Sequence, residues 1–219
     1  MSGLMWGVDV FLHIDKFLTQ IVNQYGSLTY ALLFAVIFIE TGVVICPFLP
    51  GESMLFAAGA IAAQQAAGLN IGWLIVLIAV AAVLGDTVNY WVGRKVGRTL
   101  EKHRLFRRLI NAEKMAKAEA FFDRYGGMAI FLGRFVPFIR TFVPFIAGGS
   151  RMNYMFFFTY NVLGGATWTL AGLLAGYFFG GIGVVKDHFS LIMLAIVAVS
   201  LLPIMCVWLK KRFGHVFNE

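Results

Sequence analysis

Arg134 and Arg140 lie in an otherwise apolar run from Met128 to Gly149 that Pro137 and Pro144 also interrupt. A guanidinium presents a planar fork of N–H donors that matches a phosphate or a carboxylate in bidentate fashion. It is expensive at the centre of a bilayer, so it turns to a cavity or a partner and not to lipid. Proline removes a backbone donor and frees a carbonyl, which at membrane depth is tolerated where the chain lines a cavity or is buried in protein. Glu40 and Glu52 form the matching acidic pair in an earlier apolar stretch. Two chemistries fit these four charges. They could form two ion pairs whose task is to hold membrane segments together. Alternatively, Arg134 and Arg140 bind a phosphate, while Glu40 and Glu52 compete for the arginines or carry protons as the site turns.

The elements that must position these groups are membrane helices and broken helices. Hydrophobic residues make up 60% of the 219-residue chain and charged residues 13%, outside the range of soluble domains. One integral membrane domain is expected over 1–219. Residues 7–24 carry Asp9, His13, Asp15 and Lys16 among apolar side chains and read as an interfacial helix. Residues 28–67 contain a breaker cluster, Cys46-Pro47-Phe48-Leu49-Pro50-Gly51-Glu52-Ser53, followed by many small residues. Residues 71–93 would extend about 34 Å as a helix, enough to cross. Residues 154–180 and 189–209 are long enough to span as well. Met1 to Lys16 lacks a basic n-region and an Ala-x-Ala site, so no removable signal peptide is expected there.

The formal charge of +7 is unevenly placed. Ten of the 18 Lys and Arg residues lie from Arg94 to Arg124, and Lys210-Lys211-Arg212 follows the last apolar run. By the positive-inside rule both clusters face the cytoplasm, against anionic lipid and not nucleic acid. Both stay on that side only if 128–149 enters and returns from the same face. The stretch is also too short for two crossings, so it reads as a re-entrant hairpin. Glu40 precedes Pro50 by ten residues and Arg134 precedes Pro144 by ten, a weak internal repeat. The expected fold is therefore all-α and polytopic, with two inverted re-entrant hairpins packed with transmembrane helices. Pro47, Pro50, Gly51, Pro137, Pro144 and Gly148 are expected at the hairpin tips.

Asp86, Asn89, Tyr90 and Arg94 are secondary candidates, equally well read as a polar anchor at the end of 71–93. Asn161 reads as a hydrogen-bonding residue between helices. Cys46 and Cys206 lack CxxC spacing, and His13, His103, His188 and His215 are scattered, so neither a metal nor a cofactor is expected. A lipid phosphatase would need a nucleophile with a positioned partner, and no such arrangement is present, so no enzyme activity is expected. A proton-coupled transporter of a soluble cation or drug would use Glu40 and Glu52 as its binding groups. A phospholipid scramblase and a structural membrane factor remain open, as does assembly into a homo-oligomer.

Three groups of residues resemble the DedA family of VTT-domain membrane proteins: Glu40 with Pro47-Phe48-Leu49-Pro50-Gly51-Glu52; Gly85-Asp86 through Asn89-Tyr90 and Gly93-Arg94; and Arg134-Phe135-Val136-Pro137 with Arg140-Thr141 and Pro144-Phe145-Ile146-Ala147-Gly148. The resemblance covers nearly the whole chain. It implies a polytopic protein of the bacterial cytoplasmic membrane with two facing hairpins, and the recycling of undecaprenyl phosphate by flipping it between leaflets. Proton-dependent resistance and lipid scrambling are further activities of the family. It also implies that Glu40, Glu52, Arg134 and Arg140 are the essential positions. The second acidic position is often Asp in the family and is Glu52 here, which keeps a carboxylate one methylene further out.

Overall fold

The computed structural model describes residues 24–42, 51–64, 68–100 and 124–182, together with Gln20, Val22 and Phe122. Among them the regular elements are all helices: α1 (Leu28–Gly42), α2 (Gly51–Ala62), α3 (Ile71–Leu100), α4 (Gly127–Gly133), α5 (Pro137–Gly149) and α6 (Tyr154–Phe179). Most of the interfacial helix expected over 7–24, the prolines Pro47 and Pro50, most of the basic segment 94–124 and the span expected over 189–209 lie outside the described residues.

Within α3 and α6, Ile71–Lys95 and Tyr154–Phe179 are long and apolar enough to cross a membrane. The other four helices have 15, 12, 7 and 13 residues. At 1.5 Å per residue none exceeds about 23 Å, short of a hydrocarbon core of about 30 Å. Helix α3 runs past Gly93, where the expected span ends, to Leu100.

Both long helices start on an asparagine. The Oδ1 of Asn70 accepts from the backbone N–H groups of Gly72 (2.9 Å) and Trp73 (3.2 Å). The Oδ1 of Asn153 accepts in the same way from Met155 (2.9 Å) and Phe156 (3.2 Å). An N-cap of this kind satisfies donors that the helix itself leaves unpaired.

Packing repeats with the same symmetry. Helix α1 packs on α3 and α4 packs on α6, while α2 crosses to α6 and α5 crosses to α3. The crossings are close because each is made by a reciprocal pair of glycines. A Cβ on Gly59 would land on the carbonyl of Leu173, and one on Gly176 on the carbonyl of Phe56. In the other half, a Cβ on Gly148 would land on the Tyr90 carbonyl, and one on Gly93 on the Phe145 carbonyl. Small residues of this kind let membrane helices approach to backbone contact.

These contacts set the register of the repeat. Phe56 and Gly59 correspond to Phe145 and Gly148, and Asn70, Tyr90 and Gly93 correspond to Asn153, Leu173 and Gly176. In that register Pro144 stands opposite Leu55, within a helix, and not opposite Pro50. The expected equivalence of Pro50 with Pro144 is thereby corrected.

Each half has its own apolar cluster. One includes Leu33, Ile37, Leu55, Ala58, Ile78, Ala82 and Leu173, and the other Tyr90, Ala129, Ile130, Val143, Ala147 and Phe157. Along α3, Asp86 and Asn89 fall at the junction between them.

Gly93→Val tests the glycine crossing. Overpacking costs about 1–3 kcal/mol where side chains can yield, and here the obstacle is backbone. Loss of monodisperse protein in detergent, or a sharply lowered Tm, is expected. An unchanged Tm would show that α3 and α5 separate freely.

Candidate functional site

Arg140 is in the first turn of α5, pointing to the facing ends of α1 and α2. Its Nη1 donates to Glu52 Oε1 at 2.8 Å, and its Nη2 donates to Glu40 Oε1. Glu40 is fully buried and Arg140 is 6% exposed, whereas the Glu52 side chain is 26% exposed. Glu40 lies in the last turn of α1, and Gly51 opens α2 directly against it. A Cβ at Gly51 would sit inside van der Waals contact of both Glu40 carboxyl oxygens. The N-terminus of α2 thus meets a carboxylate, the charge that its dipole favours.

Arg134 directly follows α4, in the turn to α5, and reaches the other way, between α3 and α6. Its Nη1 donates to Asp86 Oδ2 and to Asn161 Oδ1, the latter at 2.7 Å. Asn161 is held in turn by its Nδ2, which donates to the Val83 carbonyl at 3.1 Å. The guanidinium passes beside Gly164 and Gly165 of α6, where a Cβ would be 3.5 Å from its Cδ and its Cζ respectively.

The wiring gives each arginine its own carboxylate partners. Glu40 and Glu52 both serve Arg140, and Asp86 serves Arg134. Spacing in the chain could not show it, because Arg134 leaves the turn toward α3 and α6 while Arg140 faces the ends of α1 and α2. Asp86 and Asn161 therefore belong to the site itself.

The remaining positions separate into groups. Pro137 begins α5, and Gly51 begins α2. Pro144 is inside α5 and Gly148 is in its last turn against α3, so neither is at a tip. Pro144 lacks the N–H that would bond the carbonyl one turn earlier, which loosens the ladder near Arg140 and Thr141. Asn89, fully buried, donates its Nδ2 to the Thr141 carbonyl at 2.6 Å. It is an interior brace of that weakened turn and not a surface anchor.

Tyr90 and Arg94 act elsewhere. The Tyr90 hydroxyl donates to the Met152 carbonyl and accepts from Arg94 Nη1 at 2.7 Å, tying α3 to the turn between α5 and α6. The Tyr90 ring stacks on Phe157 with centroids 4.6 Å apart.

Thr41, Asp86, Arg134, Arg140, Thr141 and Trp168 line a cavity of about 10 Å³, room for about one water. Thr41 and Trp168 were not singled out by the sequence, and Thr141 stood there only within the Arg140-Thr141 motif. The signal for Trp168 was present: Asn161, Gly164, Gly165 and Trp168 recur at helical spacing on one face of α6. Around the chamber Arg134 Nε, Arg134 Nη2 and Arg140 Nε find no partner among the described residues. Buried polar groups are ordinarily satisfied, so these donors, and the Glu40 Oε2 acceptor that is likewise unpartnered, leave hydrogen-bonding capacity unmet among the described residues of the cluster. Among the described residues no cluster of His, Cys, Asp or Glu is arranged to hold a metal.

Residues 49–178 match the family described as the VTT domain. The protein named Protein DedA of Escherichia coli (strain K12) is 45% identical over 206 residues, covering 93% of this chain and 92% of that protein. A protein of Mycobacterium tuberculosis named as an uncharacterized membrane protein is 44% identical over 182 residues, 82% of this chain and 78% of its own. The protein named Inner membrane protein YghB of Escherichia coli (strain K12) is 33% identical over 194 residues, 85% of this chain and 87% of its own. No solved structure matches the chain significantly.

Proposed function

The chain belongs to the VTT-domain (DedA) family of membrane proteins, and on that premise we propose that it translocates undecaprenyl phosphate across the bacterial inner membrane. One observation carries the reading: two buried arginines converge on one chamber, and three of their guanidinium nitrogens have no hydrogen-bond partner among the described residues. A phosphate monoester is a match in charge and donor geometry.

The two halves are re-entrant hairpins entering from opposite faces, α1 with α2 and α4 with α5. The short helices and the repeated crossings support that reading. The basic segment 94–124 and the C-terminus face the cytoplasm in this arrangement.

The chamber, as it stands, is too small for a phosphate, so a counter-ion must leave when the lipid enters. Glu52 is the one able to do so. It is the partly exposed member of the cluster, whereas Glu40 is fully enclosed against the start of α2. Phosphate takes the place of Glu52 on Arg140, and proton uptake by a freed carboxyl balances the charge. The prenyl chain stays in lipid.

A second reading rests on the count of charges. Three carboxylates, Glu40, Glu52 and Asp86, face two guanidiniums, an excess of one negative charge that would favour a transported cation or drug.

Purified protein in liposomes separates the two. Wild type is expected to flip undecaprenyl phosphate, and Arg134→Ala, folded, is expected not to. If folded wild type does not move the lipid, the carrier-lipid reading falls and cation transport takes its place.

A further inference from the structure

Trp168 touches both cationic centres. Its ring centroid lies 5.8 Å from the Cζ of Arg134 and 5.2 Å from the Cζ of Arg140, and the residue is buried in the middle of α6. The two arginines have separate carboxylate partners, on different helices. What they share is this ring and the chamber that all three line.

An aromatic face attracts a cation through its quadrupole, and tryptophan does so best. The attraction needs no N–H hydrogen bond, so it holds a guanidinium while leaving the edge of its fork available. The observed bonding has that form: carboxylates and Asn161 occupy Nη1 of Arg134 and both terminal nitrogens of Arg140. Arg134 Nε and Nη2 and Arg140 Nε remain unpartnered among the described residues. Two like charges at one small chamber repel, and a shared electron-rich ring offsets that repulsion without adding a competing anion. A leucine of similar burial would fill space and do neither.

We propose that Trp168 is a positioning residue for the anion site, an aromatic clamp that keeps Arg134 and Arg140 converged with their free donors on one phosphate head group. This rests on the phosphate reading above. The clamp contributes to recognition of the head group alone, so its loss reduces discrimination for the charged lipid and leaves tail-driven binding intact.

The test is binding of a short-chain polyprenyl phosphate, beside the corresponding uncharged polyprenol, to detergent-purified wild type and to Trp168→Tyr, Trp168→Phe and Trp168→Leu. Wild type is expected to prefer the phosphate. Trp168→Leu is expected to lose that preference by 10-fold or more (on the order of the cation–π range) with polyprenol binding unchanged, and the preference should fall in the order Trp, Tyr, Phe, Leu. Equal preference in wild type and a folded Trp168→Leu would overturn the clamp, as would Trp168→Phe behaving no better than Trp168→Leu. Should Trp168→Leu not fold, the three aromatic residues decide: a graded fall supports the clamp and a flat series overturns it. If wild type itself shows no preference for phosphate over alcohol, the phosphate reading fails, an outcome distinct from failure of the clamp alone.

Discussion

Arg134→Lys is expected to leave the protein folded and to cut transport of the phosphate lipid by roughly 100-fold or more. The lysine keeps the positive charge and can still meet Asp86. It has no planar fork: once two of its three N–H groups bond Asp86 and Asn161 only one is left for a ligand, whereas arginine keeps three on Nε and Nη2. A hydrogen bond to a charged group is worth about 1.5–3 kcal/mol, and two such bonds to the phosphate are lost. At about 1.4 kcal/mol per tenfold this amounts to two orders of magnitude or more. A purely structural ion pair predicts the opposite, because lysine satisfies a buried carboxylate by charge alone. Lipid flipping in liposomes, measured beside the Tm in detergent, distinguishes them. A lysine variant at wild-type rates would show that charge suffices and that no bidentate contact is made.

Asp86→Leu should produce the largest loss of stability. It leaves Arg134, 5% exposed, without its counter-ion, and an uncompensated buried charge costs about 3–5 kcal/mol. The pair can instead be removed whole. Replacing a buried ion pair by apolar residues of similar volume is often neutral or stabilising, so Asp86→Leu with Arg134→Met should regain most of the lost Tm. Transport should not return with it, since the double variant has lost one of the two phosphate-binding groups. The two measurements thereby separate the holding role of the pair from its role with substrate. A double variant that melts like wild type and still flips the lipid would reduce Asp86 and Arg134 to scaffolding.

Much of this was legible in the residues taken in order. Apolar runs in the sequence start where the helices at Leu28, Ile71 and Tyr154 start, because helix formation in lipid depends on the composition of a contiguous segment. Breaker residues located the interruptions near Gly51 and Pro137, because glycine and proline act on their own backbone. Arg134, Arg140, Glu40 and Glu52 stood out by rule, since an ionisable side chain in an apolar segment has to be answered by something.

What the residues in order did not determine was which group answers which. Asp86 belongs to Arg134, and both glutamates belong to Arg140, because of the directions in which the turn after α4 and the first turn of α5 present their arginines. Pro144 looked like a second tip residue, yet the Gly93 and Gly148 crossings place it mid-helix, where Asn89 supports the turn it weakens. Trp168 looked like one aromatic among many until α6 brought its ring to both guanidiniums. Sequence alone determined the elements and the charges that had to be buried, because those depend on neighbours along the chain. Only the tertiary structure decided the partners, because a helix crossing brings together residues tens of positions apart, and a close approach at four glycines sets that register.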